Sequence, residues 1–317
     1  MAQMSTDQGS ASLTPSVFSV KSVVKALGCV LILTLTHAET LTVATYNIEN
    51  YGPADRMTEG GFRKDYPKPE SEKQALRKVI RGLNADLLVL QEMGGQPYLD
   101  ELRRDLKAEG LDYPYAALAS AADADRHIAL LSRLPLKRAL THTDLQFAYF
   151  AAKETVKRGL LEVTVATTAG DVTLFAVHLK SRFTERADDP GCAIRRAGEA
   201  TAIRDAVLKK FPTPADARFL ILGDCNDSKA SKALEHLAKR GKTEIAALLP
   251  AADSRGDTWT HDYRREDNYT RVDHILVSPG LRSAVQPNGA QIFDGEGVRA
   301  ASDHRPVMVT LVFGQKK

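Results

Sequence analysis

The chain has 317 residues, with 43 Lys and Arg against 40 Asp and Glu, and a formal net charge of +3. This near balance excludes a histone-like cation and an acidic tail, and an aromatic content of 6% is too low for a platform that stacks single-stranded bases. The length suits one sandwich or α/β domain with a large core.

Residues 1–38 have the pattern of an export signal. Lys21 and Lys25 give a positive segment, and residues 26–35 form an apolar run that is followed by small residues at the cut. This run is too short to span a bilayer, which needs about 20 residues. We therefore expect a signal peptide over 1–38 and a secreted or periplasmic domain over 39–317, without stable membrane insertion after processing. An uncleaved anchor or a buried helix is the alternative.

Predicted strands and helices alternate along the rest of the chain. Apolar runs, alternating or continuous, predict strands over residues 41–46, 87–90, 128–131, 160–167, 172–178, 219–222, 272–277 and 307–312. Amphipathic runs predict helices over residues 71–83, 97–109, 193–210 and 231–240. Ser71 and Gln74 form a predicted capping box. Strands outnumber helices, which favours an α/β (α+β) fold of two packed sheets with helices outside.

Two long connections interrupt this pattern. Residues 52–69 and 251–271 carry Gly, Pro and many charged side chains. Connections of this length in a compact domain are usually functional, so we interpret both as functional loops.

Five short polar motifs lie at the ends of predicted strands. They are Tyr46-Asn47-Ile48-Glu49, Leu90-Gln91-Glu92, His178-Leu179-Lys180-Ser181-Arg182, Gly223-Asp224-Cys225-Asn226-Asp227 and Ser302-Asp303-His304-Arg305-Pro306. Carboxylates, amides and imidazoles at the ends of several strands are what a metal-assisted phosphoryl-transfer site needs. Each motif alone is weak, since a lone Glu92 is more often a surface residue and Asp224 with Asn226 more often forms an Asx turn.

Taken in order, these motifs resemble the endonuclease/exonuclease/phosphatase superfamily, the DNase I-like metal-dependent phosphoesterases. The resemblance runs from about residue 41 to residue 311. It implies a four-layer α/β/β/α sandwich of two packed mixed β-sheets. It also implies a metal-dependent phosphoric ester hydrolase that uses Mg²⁺, with Mn²⁺ or Ca²⁺ as alternatives.

The resemblance implies a metal site at the first, second and fifth motifs. Glu92 matches the principal Mg²⁺ ligand, and Asn47 matches the amide beside it. Glu49 stands where the family often has an acidic residue near the metal. Asp303 matches a further carboxylate close to the metal.

The resemblance also implies the catalytic groups. Asp224 matches the carboxylate that orients or deprotonates the attacking water, and Asn226 matches the amide that holds a phosphoryl oxygen. His304 matches the imidazole that contacts the scissile phosphate, and Asp273 matches the carboxylate that pairs with it. His178 matches the second active-site His of the nuclease and sphingomyelinase branches.

The substrate stays open at this point. Lys180, Arg182 and Arg305 are predicted phosphate contacts, which favours a secreted, monomeric nuclease acting on DNA or RNA. The alternative is a phospholipid phosphodiesterase such as a sphingomyelinase, or another phosphatase. A lipid enzyme requires an exposed apolar or aromatic lip, and the sequence shows no convincing one. The intact motif set argues against a non-catalytic binding relative.

Two cysteines, Cys192 and Cys225, follow the predicted signal peptide. In the implied fold both motifs converge on one end of the sandwich, so we predict a disulfide between them that would persist after export. The alternative is one buried Cys that packs as a small hydrophobic residue and one loose thiol.

Overall fold

The computed structural model describes residues 38–58, 60–184 and 186–314, without the side chain of Asn288. Apart from its last residue, the predicted signal peptide lies outside these ranges. No helix in the described part of the chain is long and apolar enough to cross a membrane.

Strands form most of the regular structure. In chain order they are β1 (Glu39–Tyr51), β2 (Ala54–Thr58), β3 (Gly61–Tyr66), β4 (Leu87–Met93), β5 (Tyr115–Ala119), β6 (His127–Ser132), β7 (Leu136–His142), β8 (Gln146–Tyr149), β9 (Ala152–Thr155), β10 (Leu160–Thr167), β11 (Gly170–His178), β12 (Phe219–Asp224), β13 (Lys239–Arg240), β14 (Thr243–Glu244), β15 (Ala247–Leu248), β16 (Ala251–Ala252), β17 (His261–Tyr263), β18 (Asn268–Thr270), β19 (Asp273–Val277), β20 (Val285–Ile292) and β21 (Val307–Phe313). The helices are α1 (Glu70–Leu83), α2 (Gln96–Ala108), α3 (Ala193–Lys210), α4 (Lys232–Ala238), α5 (Pro279–Arg282) and α6 (Val298–Ala301), and a 3₁₀ turn spans Pro190–Cys192.

Two large sheets carry the architecture. The first has seven strands in the order β16-β20-β21-β1-β4-β6-β5, and the second has six in the order β15-β19-β12-β11-β10-β7. In the first sheet β1 pairs parallel with β4 and antiparallel with β21. In the second, β12 pairs parallel with β11 and antiparallel with β19. Both sheets are therefore mixed, as predicted.

Buried apolar side chains divide the molecule into four layers. Leu87 and Val89 of β4 belong to the cluster between the sheets, whereas Leu88 and Leu90 pack with α1 and α2 on the outer face. In the second sheet, Leu220 faces the other sheet, while Ile221 packs in the cluster that contains α3 and α4. Each buried side chain of this size contributes about 1.5–3 kcal/mol. The predicted α/β/β/α sandwich is confirmed, because both central strands are apolar on both faces.

The helix predictions differ from the structure by one or two residues at the helix ends. Helix α3 has the predicted bounds, whereas α1 begins one residue early, at Glu70. Pro69 occupies the N-cap position of α1 and no side chain caps it, so the predicted capping box is wrong. Helix α4 starts after Ser231, whose hydroxyl accepts from the Leu234 amide at 3.3 Å.

Both predicted functional loops contain hairpins. Strands β2 and β3 pair within residues 52–69, and β17 and β18 pair within residues 251–271. Neither hairpin adds a strand to either of the two large sheets. The β2–β3 strands are mostly exposed on both faces, so they have no apolar alternation that sequence reasoning could detect.

Candidate active site

Strand pairing brings the polar motifs to one edge of the sandwich. Asp224 at the end of β12 lies opposite His178 of β11 on one side and Asp273 of β19 on the other. A cleft of about 560 Å³ opens at this edge. The predicted site residues that line it are Asn47, Glu92, Arg182, Asp224, Asn226, Asp303 and His304.

Asn47 links the two sheets through its side chain. Its Nδ2 donates to Asp224 Oδ2 at 3.0 Å and to Glu92 Oε1 at 3.4 Å, and its Oδ1 accepts from the Glu49 amide at 3.0 Å. The opposite amide orientation would set the oxygen of Asn47 against two carboxylates. Asn47 therefore positions the carboxylates of Glu92 and Asp224, and its place in the metal site stays a prediction.

Glu92 sits at a strained point of the backbone. Its φ is +63°, in the left-handed region that non-glycine residues rarely adopt. Glu49 and Asn50 share this conformation, and the Asn50 amide donates to Glu92 Oε2 at 3.0 Å. Such strain costs of order 1–3 kcal/mol per residue and clusters at functional sites. Here it turns the Glu92 carboxylate out of the strand and into the cleft.

Asp224 is a buried carboxylate with several donors. The Asn226 amide donates to Oδ1 at 2.7 Å, and the Asn226 side chain donates to Oδ2 at 3.2 Å and to the Leu179 carbonyl at 2.9 Å. Burial, with the nearby charge of Asp273, raises the pKa of Asp224 to about 7. Asp224 and Asn226 thus form the contact of an Asx turn and also line the cleft.

His304 and Asp273 form a buried pair. Nδ1 of His304 lies 2.8 Å from Asp273 Oδ2. Burial alone would lower the pKa of His304, but the charge of Asp273 and this hydrogen bond outweigh it and raise the pKa well above its usual value. The Ser302 hydroxyl accepts from the His304 amide at 3.0 Å and donates to the Asn47 carbonyl at 2.9 Å. The fifth motif is thereby tied to the first.

His178 has the opposite electrostatic environment. Its side chain is buried, with Nε2 3.5 Å from Asp224 Oδ2 and 3.9 Å from Glu92 Oε1. Its Nδ1 has no hydrogen-bond partner within the described residues. Burial, with the charge of Arg158, lowers the pKa of His178 well below its usual value. The surroundings therefore favour the neutral form of His178 and the charged form of His304.

His261 completes the cleft, and the sequence analysis missed it. It opens β17 and lies 3.6 Å from Asp303 through Nε2, and its ring centroid is 4.6 Å from that of His304. Burial alone would raise the pKa of Asp303, but the hydrogen bond with His261 and the charge of His304 lower it to about 2. The only sequence signal was a lone His in a charged loop, which is more often structural than functional.

The sequence and the fold of this chain are both similar to those of known proteins. A model of the Endonuclease/Exonuclease/phosphatase family matches residues 44–304, which span every predicted catalytic and metal residue. The chain belongs to this family. It is therefore a metal-dependent phosphoric ester hydrolase, as predicted. No curated protein sequence matches it.

Solved structures support the fold assignment. Sphingomyelinase C from Streptomyces griseocarneus is 20% identical, with a TM-score of 0.57, and the match covers 86% of this chain and 99% of that one. The human nocturnin catalytic domain is 15% identical, with a TM-score of 0.60, over 87% and 98%. Truncated TDP2 from Caenorhabditis elegans is 14% identical, with a TM-score of 0.57, over 87% and 98%. At these identities the similarity shows the DNase I-like fold of the family.

The acidic groups of this family member fit a divalent cation. Burial, with the neighbouring charge of Asp303, raises the pKa of Glu49, just as burial and Asp273 raise that of Asp224. Burial disfavours the charged form of both carboxylates, and a hard divalent ion with oxygen ligands would favour it. Glu92 and Asp303 both line the cleft and could hold it. Glu49 accepts from the Asp303 amide at 3.1 Å and reaches the adjoining cavity beneath the β2–β3 hairpin.

Two of the three predicted phosphate contacts are engaged elsewhere. Arg305 is buried, lies 2.7 Å from Asp253 Oδ2 and stacks on the Trp259 ring at 3.5 Å. The Lys180 ammonium donates to the Phe183 carbonyl at 2.6 Å. The prediction for Arg305 is therefore wrong, because its buried charge is paired with Asp253, whereas that for Lys180 stays a prediction. Arg182 does line the cleft.

The predicted disulfide is also wrong, since Cys192 and Cys225 are both free and buried. The Cys192 thiol donates to the Phe183 carbonyl at 3.2 Å, at the start of α3. Cys225 packs instead in the apolar cluster between the second sheet and its helices. The strand alternation turns Cys225 away from the cleft, as expected, but into the core rather than toward Cys192.

Proposed function

We propose that this hydrolase is an exported, divalent-metal-dependent phosphodiesterase that cleaves DNA or RNA. The observation that carries the proposal is the position of two imidazoles beside the buried Asp224 carboxylate. Nε2 of His178 lies 3.5 Å from Asp224 Oδ2, and the ligand atoms of Asp224, Asp273 and His304 all lie within 4.8 Å of one another. Titratable groups whose surroundings push their pKa values apart mark acid and base roles. The proposal of export rests on the N-terminal signal pattern.

The residues divide the chemistry among them. Asp224, with a pKa near 7, accepts the proton of the attacking water. The protonated Nε2 of His304 donates to a non-bridging phosphoryl oxygen as negative charge develops there, while Asp273 fixes the ring through Nδ1. His178 and Asn47 hold the Asp224 carboxylate in place. Glu92 and Asp303 would hold a divalent cation, which would neutralise charge at the phosphate.

Groups at the cleft rim favour a nucleic acid. Phe183 is 74% exposed and Tyr263 is 41% exposed, and both line the cleft with Arg182. Exposed aromatic rings stack on bases of any sequence, and Arg binds phosphate. The chain as a whole has few aromatic residues, but two exposed aromatic rings lie at the site.

The β2–β3 hairpin favours a phospholipid substrate as the second candidate. Met57 and Phe62 face each other across the hairpin and are 79% and 57% exposed. Arg63 and Lys64 of the same hairpin line the cavity next to Glu49. This is the exposed apolar lip that the sequence did not show. An apolar tip beside cations suits the interface of a lipid bilayer.

Hydrolysis assays distinguish these candidates. The purified mature domain is tested on bis-p-nitrophenyl phosphate, plasmid DNA, RNA and sphingomyelin vesicles, with Mg²⁺ and after removal of metal by EDTA. We expect metal-dependent cleavage of DNA or RNA. Preferential cleavage of sphingomyelin would reject the nuclease assignment, and full activity in EDTA would reject the metal requirement.

A further inference from the structure

A buried ion pair joins the two sheets outside the cleft lining. Asp123 lies in the connection between β5 and β6 of the first sheet, and Arg158 lies in the turn before β10 of the second. Nε of Arg158 donates to Asp123 Oδ2 at 3.0 Å, and the Arg158 and Asp123 side chains are 8% and 3% exposed. The Asp123 amide also donates to the Lys157 carbonyl at 3.0 Å. Neither member of the pair lines the cleft, so neither touches a substrate bound there.

The Arg158 end of the pair reaches the groups around Asp224. Nη1 of Arg158 donates to the Leu179 carbonyl at 3.1 Å. The same oxygen accepts from the Asn226 side chain at 2.9 Å, and the Leu179 amide donates to the Asp224 carbonyl at 2.9 Å. Asn226 in turn donates to both carboxylate oxygens of Asp224. One guanidinium therefore fixes the carbonyl that holds the Asn226 side chain.

The Asp123 end of the pair reaches Glu92. Asp123 Oδ1 accepts from the Arg126 amide at 3.3 Å, and Nε of Arg126 donates to Asn50 Oδ1 at 2.9 Å. The Asn50 amide donates to Glu92 Oε2 at 3.0 Å. The ion pair thus lies in the middle of a series of contacts that joins Asp224 on the second sheet to Glu92 on the first.

Stability alone does not account for this pair, because a buried ion pair adds little over apolar side chains of the same volume. A guanidinium, however, bonds a carboxylate and a carbonyl at once through its fixed fork of donors. We propose that Arg158, held by Asp123, is a positioning residue that sets Asn226 and Asp224 relative to Glu92 for phosphodiester cleavage. The effect on cleavage rests on the proposed function, whereas the placement of the Asn226 side chain does not.

A double variant separates positioning from stability. Asp123→Asn with Arg158→Met leaves no unpaired charge and keeps an oxygen for the Arg126 amide, so we expect a urea midpoint near that of the wild type. A displacement of about 1 Å can cost about 10²-fold in rate. On bis-p-nitrophenyl phosphate we therefore expect kcat to fall at least about tenfold with little change in KM. A double variant with wild-type kcat overturns the proposal.

Arg158→Lys is the second variant, in case the double variant does not fold. It keeps a charge beside Asp123 but replaces the fork by a single ammonium, which loses the simultaneous contact with the Leu179 carbonyl. We expect the same direction of change in kcat. Wild-type kcat in Arg158→Lys would also overturn the proposal.

The matched control is Arg77→Met, in the helix layer outside the first sheet. The Arg77 side chain is 7% exposed, and it donates to Glu109 at 2.5 Å and to Glu70 at 2.9 Å. We expect this variant to unfold at a lower urea concentration and to keep its kcat. A fall in kcat equal to that of the double variant would show that loss of any buried ion pair lowers the rate, and would reject the positioning role.

The placement of Asn226 is measured independently of activity. ¹H–¹⁵N NMR spectra follow its side-chain amide, whose resonances are assigned by their loss in Asn226→Asp. We expect them to move in the double variant and to stay in place in Arg77→Met. Unchanged resonances in the double variant overturn the proposal. If the wild type hydrolyses no diester, the proposed function fails, while these resonances still decide whether Arg158 positions Asn226.

Discussion

The two active-site imidazoles show how surroundings assign different roles to one residue type. His178 is buried beside the charge of Arg158, so its neutral form is favoured. His304 is equally buried, but Asp273 lies 2.8 Å from its ring and favours the charged form. Neither state follows from the local sequence, because the partners lie on other strands. The pairing of β12 with β11 and β19 brings those strands together.

The first prediction concerns Glu92. Glu92→Gln should remove most activity and leave the fold intact, because it removes the charge at constant size and keeps an oxygen for the Asn50 amide. We measure kcat across a Mg²⁺ titration, together with Tm. Rates near the wild-type value at all Mg²⁺ concentrations would refute the assignment of Glu92 as the metal ligand.

The second prediction concerns His304 and its partner. Removing one donor aimed at developing negative charge costs about 10²–10³ in kcat, which is the loss expected for His304→Ala. Asp273→Asn should cost less, because the donor remains but its ring is held less firmly. Steady-state kinetics on a generic diester measures both. A His304→Ala enzyme as active as the wild type would exclude the proposed donor.

At the scale of elements, the base of the β17–β18 hairpin positions the catalytic pair. The Thr260 hydroxyl accepts from the amides of Val272 and Asp273 at 3.0 and 3.1 Å. The Thr260 carbonyl accepts from the Arg305 amide at 2.6 Å. One buried residue therefore fixes the start of β19, which carries Asp273, against the segment that carries His304.

The third prediction follows from this arrangement. Thr260→Val keeps the shape but leaves two buried amides without acceptors, at about 1–3 kcal/mol for each. We expect lower stability in urea together with a lower kcat, since Asp273 shifts. Thr260→Ser retains the hydroxyl and serves as the control. Loss of stability without any loss of kcat would show that Thr260 does not position the pair.

Elements with strong apolar patterns were predictable from the sequence, and others were not. Strands β4 and β12 were predicted because they are continuous apolar runs, and helix α3 because its apolar residues recur near one face. The β2–β3 and β17–β18 hairpins were missed because their strands are short and largely exposed, so they have no run of apolar residues. His261 was missed with its hairpin. Arg305 was misassigned because sequence cannot show that a cation already has a buried partner within the fold.

Over the whole molecule, burial of apolar residues is combined with a few buried ion pairs. Arg305 and Asp253 form one of these, with side chains that are 3% and 0% exposed. Burial alone would raise the pKa of Asp253, but hydrogen bonds from Arg305 and from backbone amides lower it well below its usual value. The pair anchors the connection before β21 to the loop that follows β16.

The fourth prediction is the pH dependence of this pair. Asp253→Asn leaves Arg305 buried and unpaired, so we expect a loss of about 3–5 kcal/mol at pH 7. Because the folded pKa of Asp253 is depressed, its contribution is complete above the unfolded pKa of about 3.9 and is lost as pH falls below it. The difference between wild type and variant should therefore shrink in acid. Asp257→Asn, at a carboxylate that is 52% exposed, is the control. A difference that stays constant from pH 7 to pH 3 would contradict the prediction.

The pairing of β1 with β21 also determines when the enzyme becomes active during its synthesis. These neighbours in the centre of the first sheet join Glu39 to Phe313 and Thr45 to Val307, at opposite ends of the described chain. A nascent chain that has not yet released β21 from the ribosome cannot close that sheet or set His304 beside Asp273. A chain that ends before β21 therefore lacks the partner of β1 at the centre of the first sheet and cannot assemble the site.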